Sequence, residues 1–180
     1  MILQTELRAP RDLPSAVADP AAAVPGGDSQ RPRGGTIVVA ALLAAAFDLS
    51  FAFVFYSFQG ATPERILRGI AAGLVGRAQA MAAGSWIVLL GAALHFLIAG
   101  CAAWLFYMAS RRLPVLTRHW ALSGAGFGIA MYVAMHFVVL PLSRLPFRLP
   151  SLHNVIGELF SHIFLFGMVI AYGVARAQRA

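Results

Sequence analysis

The order of apolar and polar positions divides the chain into a polar N-terminal segment and four long apolar runs. The runs cover about residues 36–58, 84–109, 120–142 and 155–175. Each run reaches the roughly 20 residues that an α-helix needs to cross a hydrocarbon core of about 30 Å. The pattern predicts an all-α polytopic membrane protein with four transmembrane helices and no soluble domain.

The connection between the first two spans has the pattern of an additional amphipathic helix. The segment Thr62–Glu64 reads Thr-Pro-Glu, which is typical of a helix start: an N-cap hydroxyl, a proline at the first helical position and an acid in the first turn. Ile66, Ile70 and Leu74 then recur every four residues on one helical face. We expect one helix over about residues 63–80, lying in the membrane interface.

The N-terminal segment, residues 1–35, is rich in proline, alanine and glycine, with scattered charges. No apolar stretch follows a basic start there, so the segment lacks the pattern of a secretory signal. It has too little apolar surface to offset the entropy of ordering. We predict a disordered cytoplasmic tail over residues 1–35, followed by a transmembrane domain over residues 36–176.

Composition agrees with a membrane protein. Hydrophobic residues make up 59% of the chain and charged residues 12%, whereas a soluble domain has about 45–50% and about a quarter. The net charge of +7 comes mainly from arginines between and beyond the apolar runs, where they meet anionic lipid headgroups. No basic cluster with interleaved aromatic residues lies outside the spans, so we expect no nucleic-acid partner. The lipid bilayer is the expected partner, and a homo-oligomer is compatible with the pattern.

The arginine positions predict the orientation of the chain, because four spans place both termini on one side of the membrane. Seven arginines flank the spans on that side and five flank them on the other, which favours cytoplasmic termini by the positive-inside rule. The two sets are Arg31, Arg33, Arg111, Arg112, Arg118, Arg176 and Arg179 against Arg65, Arg68, Arg77, Arg144 and Arg148.

No motif of a common enzyme class occurs in the chain. Cys101 is the only cysteine, so an intramolecular disulfide and CxxC redox or metal chemistry are excluded. Ser161 and His162 are adjacent and do not face each other on a helix, and neither GxSxG nor HExxH is present. We therefore expect a non-enzymatic protein without catalytic residues.

Each apolar run nevertheless carries at least one ionisable side chain. Such groups are costly in a bilayer and usually face the interior of a helix bundle, a cavity or a partner. They are Asp48 in the first run, His95 in the second, His136 in the third, and Glu158 and His162 in the fourth. We predict that these side chains point towards one another and form a proton or cation site.

The helical rise of 1.5 Å per residue places these groups in two layers. Asp48 and His95 lie roughly 16–18 Å from the ends of their spans, near the midplane, where they are able to pair. His136, Glu158 and His162 lie in the half of the membrane opposite the termini. The depth estimates therefore predict two layers, one in that half of the membrane and one near its centre.

Small residues on the second and third spans are expected to let these helices approach closely. Gly91 and Ala99 lie one turn on each side of His95, and Gly124 and Gly128 are four residues apart in the third span. Faces of this kind usually serve helix packing. We expect them to bring the second and third spans near enough for their histidines to share a cavity.

The outer layer is compatible with three roles. Glu158 and His162 share one helix face, so with His136 as a third ligand they suit a transition-metal ion such as Zn, Fe, Mn or Ni. The same groups can pass protons, because histidine titrates near neutrality, with His95 as a relay nearer the midplane. They can also simply tie helices together, at about 0.6–2 kcal/mol per hydrogen bond.

An ordered series of short motifs runs through the later spans, over roughly residues 84–170. The motifs are Leu94-His95, Leu113-Pro114 before Trp120, Met135-His136, Pro141-Leu142, and Asn154 leading into Glu158-Leu-Phe-Ser-His162. On these motifs the chain resembles the YagU-like family of bacterial inner-membrane proteins. The resemblance implies a four-span protein of the bacterial inner membrane and groups the three histidines with Glu158. Asp48 lies outside it.

These observations lead to one prediction of function and two alternatives. We predict an integral inner-membrane protein whose His/Glu cluster binds or relays a proton or a metal cation, in transport or stress tolerance. The first alternative is a structural scaffold or assembly factor in which the buried polar residues only join helices. The second is a small metal- or haem-dependent membrane oxidoreductase.

Overall fold

The computed structural model describes residues 34–146 and 149–179, and these parts of the chain are mainly helical. The helices, in chain order, are α1 (Gly34–Ser57), α2 (Pro63–Val75), α3 (Arg77–Ala82), α4 (Trp86–Arg112), α5 (Val115–Arg118), α6 (Trp120–Leu142) and α7 (Leu152–Arg179). No strand occurs within the described ranges. The all-α prediction is therefore confirmed.

Four of these helices are long and apolar enough to cross a membrane. They are α1, α4, α6 and α7, with 24, 27, 23 and 28 residues. The four predicted spans correspond to them in order. The largest difference in bounds is at the end of α7, which continues to Arg179 instead of stopping near Ala175. By length and composition, the chain is a multi-pass membrane protein with four spans.

The tail predicted for residues 1–35 lies outside the described residues except at its last two positions. Gly34 and Gly35 belong to the first turn of α1. The first span therefore begins before the predicted position at Thr36. Two consecutive glycines disfavour a helix by their conformational entropy, so the apolar residues that follow them must compensate.

The predicted additional helix is present, but it is shorter than expected. The side chain of Thr62 accepts a hydrogen bond from the backbone N–H of Arg65 at 3.2 Å, so the helix begins with the predicted N-cap. It ends at Val75 because Gly76 has φ +93°, a conformation that L side chains rarely adopt. The chain then continues as α3, so the single helix predicted over residues 63–80 is wrong at this point.

One half of the bundle is packed mainly through small residues. This core joins α1, α4 and α7, and we call it the packed half; it contains the start of α1 and the end of α7. Its buried members are Ala41, Ala44, Ala45, Ala99, Ala102, Ala103, Phe106, Phe166, Ile170, Ala171 and Val174. Gly173 lies so close to Ala40 that a Cβ atom on the glycine would overlap the alanine side chain. Small residues allow this close approach of helices in a membrane.

Glycines also bring α6 and α7 into backbone contact. A Cβ atom on Gly128 would overlap the carbonyl group of His162, and one on Gly124 would lie 2.7 Å from Cα of Met168. Gly91 instead meets the backbone of Leu67 in α2. The predicted contact between the second and third spans at these glycines is therefore wrong. The Gly124/Gly128 face packs the third span against the fourth.

Candidate functional site

The five predicted site residues all line one cavity, in the half of the bundle that we call the cavity half. The cavity has a volume of about 350 Å³ and lies between α1, α2, α4, α6 and α7. The five residues are Asp48, His95, His136, Glu158 and His162. Their side chains keep between 13% and 19% of their exposed area. The histidines of the second and third spans thus share a cavity, as expected, although glycine packing between these spans is not the reason.

Glu158 joins three transmembrane helices through its carboxylate. The hydroxyl of Tyr56 in α1 donates a hydrogen bond to Oε1. The other oxygen, Oε2, lies 2.9 Å from Nε2 of His136 in α6. This buried Oε2 atom has no hydrogen bond of good geometry, so the contact with His136 is short in distance but poorly aligned.

The orientation of the His136 ring determines which nitrogen faces the carboxylate. Its Nδ1 lies 3.1 Å from the carbonyl oxygen of Tyr132, one turn earlier. A carbonyl oxygen only accepts hydrogen bonds, so Nδ1 carries the hydrogen in this contact. In the neutral ring Nε2 then has a free lone pair directed to Glu158. A proton held by Glu158 or by His136 Nε2 relieves the repulsion between these two acceptors at 2.9 Å.

Asp48 forms a second polar group nearer the middle of α1. Ser161 donates a hydrogen bond from Oγ to Asp48 Oδ1 at 2.6 Å. His162 Nδ1 lies 3.8 Å from the same oxygen, and His95 Nε2 lies 3.9 Å from Oδ2. These two distances are too long for hydrogen bonds but short enough for an ion pair when the histidine is protonated. The predicted proximity of Asp48 and His95 is present in the structure.

The two histidines around Asp48 are held by backbone carbonyl groups. His95 Nε2 lies 3.0 Å from the carbonyl oxygen of Ala45, and His162 Nδ1 lies 2.9 Å from that of Glu158. Each of these nitrogens donates, because its partner can only accept. The second nitrogen of each ring has no hydrogen bond within the described parts of the chain. In a neutral ring that nitrogen is a proton acceptor, and both residues line the cavity.

Two of the histidines lie in π-helical segments, which the sequence reasoning missed. His136 is within Met135–Val139 of α6, and His162 is within Ser161–Gly167 of α7. Such segments are rare and often occur at functional sites. Pro141 was a signal for the first, because proline lacks the N–H that continues the α-helical hydrogen bonds. We find no comparable signal for the second.

Tyr56 and Ser161 are further members of the cluster that the sequence did not identify as such. A tyrosine near the end of a span is most simply interpreted as an interfacial anchor, and a serine is common at helix contacts in membranes. Both donate to a carboxylate on another helix. Only the tertiary structure shows these partners, which are 102 and 113 residues away in the sequence.

The predicted metal ligands do not converge. Within the described residues, no three His, Cys, Asp or Glu side chains are arranged to hold a metal ion. His162 Nδ1 is engaged by the Glu158 carbonyl and lies near Asp48, while the Glu158 carboxylate contacts Tyr56 and His136. The expected set of His136, Glu158 and His162 is therefore divided between the two polar groups.

Comparison of the chain with protein-family models, with curated proteins and with solved structures finds no match. The class of protein therefore rests on the structure. It is a four-span α-helical membrane protein with a cavity inside the bundle. Two carboxylates and three imidazoles line that cavity.

Proposed function

We propose that this protein handles protons, and that its interior cluster takes up a proton and passes it between side chains of neighbouring helices. The observation that carries the proposal is the 2.9 Å distance between His136 Nε2 on α6 and Glu158 Oε2 on α7. Both residues lie within membrane-spanning helices. We place the protein in the bacterial inner membrane with cytoplasmic termini, as the arginine distribution and the YagU-like resemblance imply. Its role is then in transport.

The surroundings of the Glu158–His136 pair support two positions for one proton. The proton can stay on the carboxyl group, which leaves both residues neutral and suits an apolar environment. It can also move to His136, in which case the hydrogen bond from Tyr56 stabilises the carboxylate. If the proton can occupy either residue, one of them can accept a proton while the other releases one.

The Asp48 group offers a second position for the proton within reach of the first. Glu158 and His162 are one helical turn apart, a rise of about 6 Å along α7. Both residues line the same cavity as Asp48 and His95. Its volume of about 350 Å³ is large enough for several water molecules. Bridging water connects polar groups almost as well as direct hydrogen bonds, so the two groups together form a relay.

Proton flux in liposomes tests the proposal. Purified protein is reconstituted into liposomes that contain potassium and a pH-sensitive dye, and valinomycin then sets the interior negative. We expect the interior to acidify with wild-type protein and to stay at the level of empty liposomes with Glu158→Gln. The matched control is Glu64→Gln, the same change on an exposed carboxylate of α2. Equal flux in wild type and Glu158→Gln would overturn the proposal.

A second candidate function is structural, because two hydrogen bonds join α1 to α7. Tyr56 donates to Glu158 and Ser161 donates to Asp48, across 102 and 113 residues of sequence. In this case the cluster holds a scaffold together and no proton moves. Tyr56→Phe and Ser161→Ala should then lower the unfolding temperature in detergent, while wild-type liposomes show no flux above the empty ones.

A further inference from the structure

The cavity at the cluster is apolar over most of its wall. Aromatic and aliphatic side chains from α1, α2 and α6 surround the polar residues, among them Phe51, Phe55, Ile66, Ile70, Met131 and Met135. The volume of about 350 Å³ lies within the range of small-molecule pockets. A ligand for this site therefore has an apolar body of about one ring and a short alkyl chain.

The charge of the lining selects for a positive ligand. Two carboxylates, Asp48 and Glu158, line the cavity, and no arginine is among its described lining residues. An anion next to an ionised Asp48 or Glu158 would meet like charge inside the bundle, which is costly. The three histidines of the lining offset this only when they are protonated. Buried Oε2 of Glu158 also lacks a well-aligned donor. An ammonium group has three donors and would satisfy this acceptor.

The aromatic wall is placed beside the carboxylate. The ring of Phe55 lies against Gly157, the residue before Glu158, so closely that a Cβ atom on the glycine would overlap it. The Phe55 ring is stacked on Phe51 and on the titratable ring of His153, with centroid distances of 5.4 and 4.9 Å. Aromatic faces attract organic cations, and the attraction is stronger where water is excluded. A positive nitrogen near Glu158 therefore has a carboxylate and aromatic rings within one cavity.

We propose that the cavity binds a lipophilic organic ammonium ion, with its nitrogen at Glu158 and its apolar body against the aromatic wall. The ligand takes the place of the proton that Glu158 shares with His136, so each ammonium ion bound releases one proton to solution. This coupling rests on the proposed proton function, whereas the binding itself does not.

Several titratable groups face the ligand position and set its dependence on pH. They are Asp48 and Tyr56 from α1, His95 from α4, His136 from α6, and Glu158 and His162 from α7. Tyr132 of α6 contacts the rings of His136 and His162, and α2 contributes only the apolar Ile66 and Ile70 to the lining. Since bound ammonium competes with protons for the same carboxylate, affinity should rise as pH rises.

Three compounds that share the same apolar group and differ in charge test the preference of the cavity for a cation. Binding of 4-phenylbutylamine, 4-phenylbutanol and 4-phenylbutyrate is measured by calorimetry on protein in lipid nanodiscs, with empty nanodiscs as the blank. We expect the amine to bind at least about tenfold more tightly than the alcohol, since a charged hydrogen bond is gained. The acid should not bind above the blank. Equal affinity for amine and alcohol would show an apolar cavity filled by any lipid-like molecule and would overturn the inference.

Two variants test separately whether binding needs the Glu158 carboxylate and whether it needs the free volume of the cavity. Glu158→Gln should weaken amine binding at least about tenfold, with Glu64→Gln unchanged. Ala52→Leu narrows the cavity from its wall and keeps both carboxylates, so it should also weaken amine binding. Its matched control is Ala93→Leu, on an exposed position of α4. Unchanged amine binding in folded Ala52→Leu would place the ligand elsewhere and reject this cavity.

Proton release distinguishes failure of this inference from failure of the proposed function. In weakly buffered solution, a pH dye should report one proton released for each amine bound. Amine binding without proton release would overturn the coupling. Proton flux in liposomes without selective amine binding would overturn only the ligand assignment, and binding without any flux would overturn only the proton relay.

Discussion

The packed half and the cavity half of this bundle share three helices, α1, α4 and α7, and these helices carry different kinds of side chain in the two halves. In the packed half, α1, α4 and α7 meet through alanines such as Ala44, Ala45 and Ala99, which are 0%, 0% and 1% exposed. In the cavity half, the same helices carry Phe51, Phe55 and four of the five ionisable residues, and α6 adds His136. A cavity of about 350 Å³ lies between them.

The difference shows how a small membrane protein can accommodate polar groups in its interior. Lipid provides no hydrophobic force between helices, so close packing and interhelical hydrogen bonds have to hold them together. The packed half supplies close packing through alanines and larger apolar side chains. In the cavity half, α1 carries larger side chains such as Phe51 and Phe55, and the carboxylates and imidazoles line the cavity between the helices. The polar cluster therefore lies away from the alanine-rich core of α1, α4 and α7.

The largest loss in the free energy of unfolding is expected at the α6–α7 contact. Gly128→Val places a side chain where the His162 backbone lies, so we expect a loss of about 3 kcal/mol or more in the free energy of unfolding. The control is Gly126→Val in the same helix, where no atom lies within 4 Å of the added Cβ. Denaturant unfolding in mixed micelles measures both. Similar losses for the two variants would contradict the observed packing.

A direct comparison of the two halves comes from one substitution made in each. Ala44→Leu overfills the packed half and should cost about 1–3 kcal/mol. Ala52→Leu projects into the cavity and should change the free energy of unfolding by less than about 0.5 kcal/mol. The same denaturant titration gives both values. If Ala52→Leu were as damaging as Ala44→Leu, the cavity half would be as closely packed as the other half.

A smaller effect is expected from the hydrogen bond between Ser161 and Asp48. Ser161→Ala removes the 2.6 Å contact between α7 and α1, and interhelical bonds of this type average about 0.6 kcal/mol with a maximum of about 1.7. Ser57→Ala serves as the control, because Ser57 donates within its own helix, to the Val54 carbonyl. An unfolding free energy unchanged by Ser161→Ala would mean that this bond does not hold the cavity half together.

The smallest change in the free energy of unfolding is expected outside the membrane spans. Glu64 pairs with Arg68 at 2.9 Å on α2, and the Glu64 side chain is 61% exposed. Arg68 is also held by the carbonyl groups of Ala80 and Ala83, so Glu64→Gln should remove only the contribution of a pair one helical turn apart, about 0.3–0.5 kcal/mol. High salt should weaken the difference further. A loss of several kcal/mol would show that α2 contributes far more to the bundle than its exposed ion pair suggests.

The four spans could be predicted because their signal is local. A run of apolar residues long enough to cross a bilayer needs no knowledge of its neighbours. Boundaries were less accurate, since Gly34 and Gly35 entered α1 and Gly76 interrupted the predicted helix over residues 63–80. A glycine is compatible with a helix or with a break, and the surrounding contacts decide between them.

The cluster was only partly predictable. Ionisable residues in apolar runs must face the interior, and this requirement alone grouped His95, His136 and Glu158 around one site. Depth estimates assigned His162 to the same layer as His136, whereas the structure places its Nδ1 3.8 Å from Asp48. The π-helical segment Ser161–Gly167 lies at this point. A π turn changes the angle between successive side chains, so projections based on a regular α-helix fail there.

By itself, the sequence determined that this chain crosses a membrane four times and which residues are too polar to face lipid. Both follow from transfer energies, which depend on the residue and its immediate neighbours. The tertiary structure decided which polar groups meet: Tyr56 with Glu158, and Ser161 with Asp48. It also decided that glycines join α6 to α7. These contacts depend on how helices rotate and pack against one another, which is a property of the whole bundle rather than of any single segment.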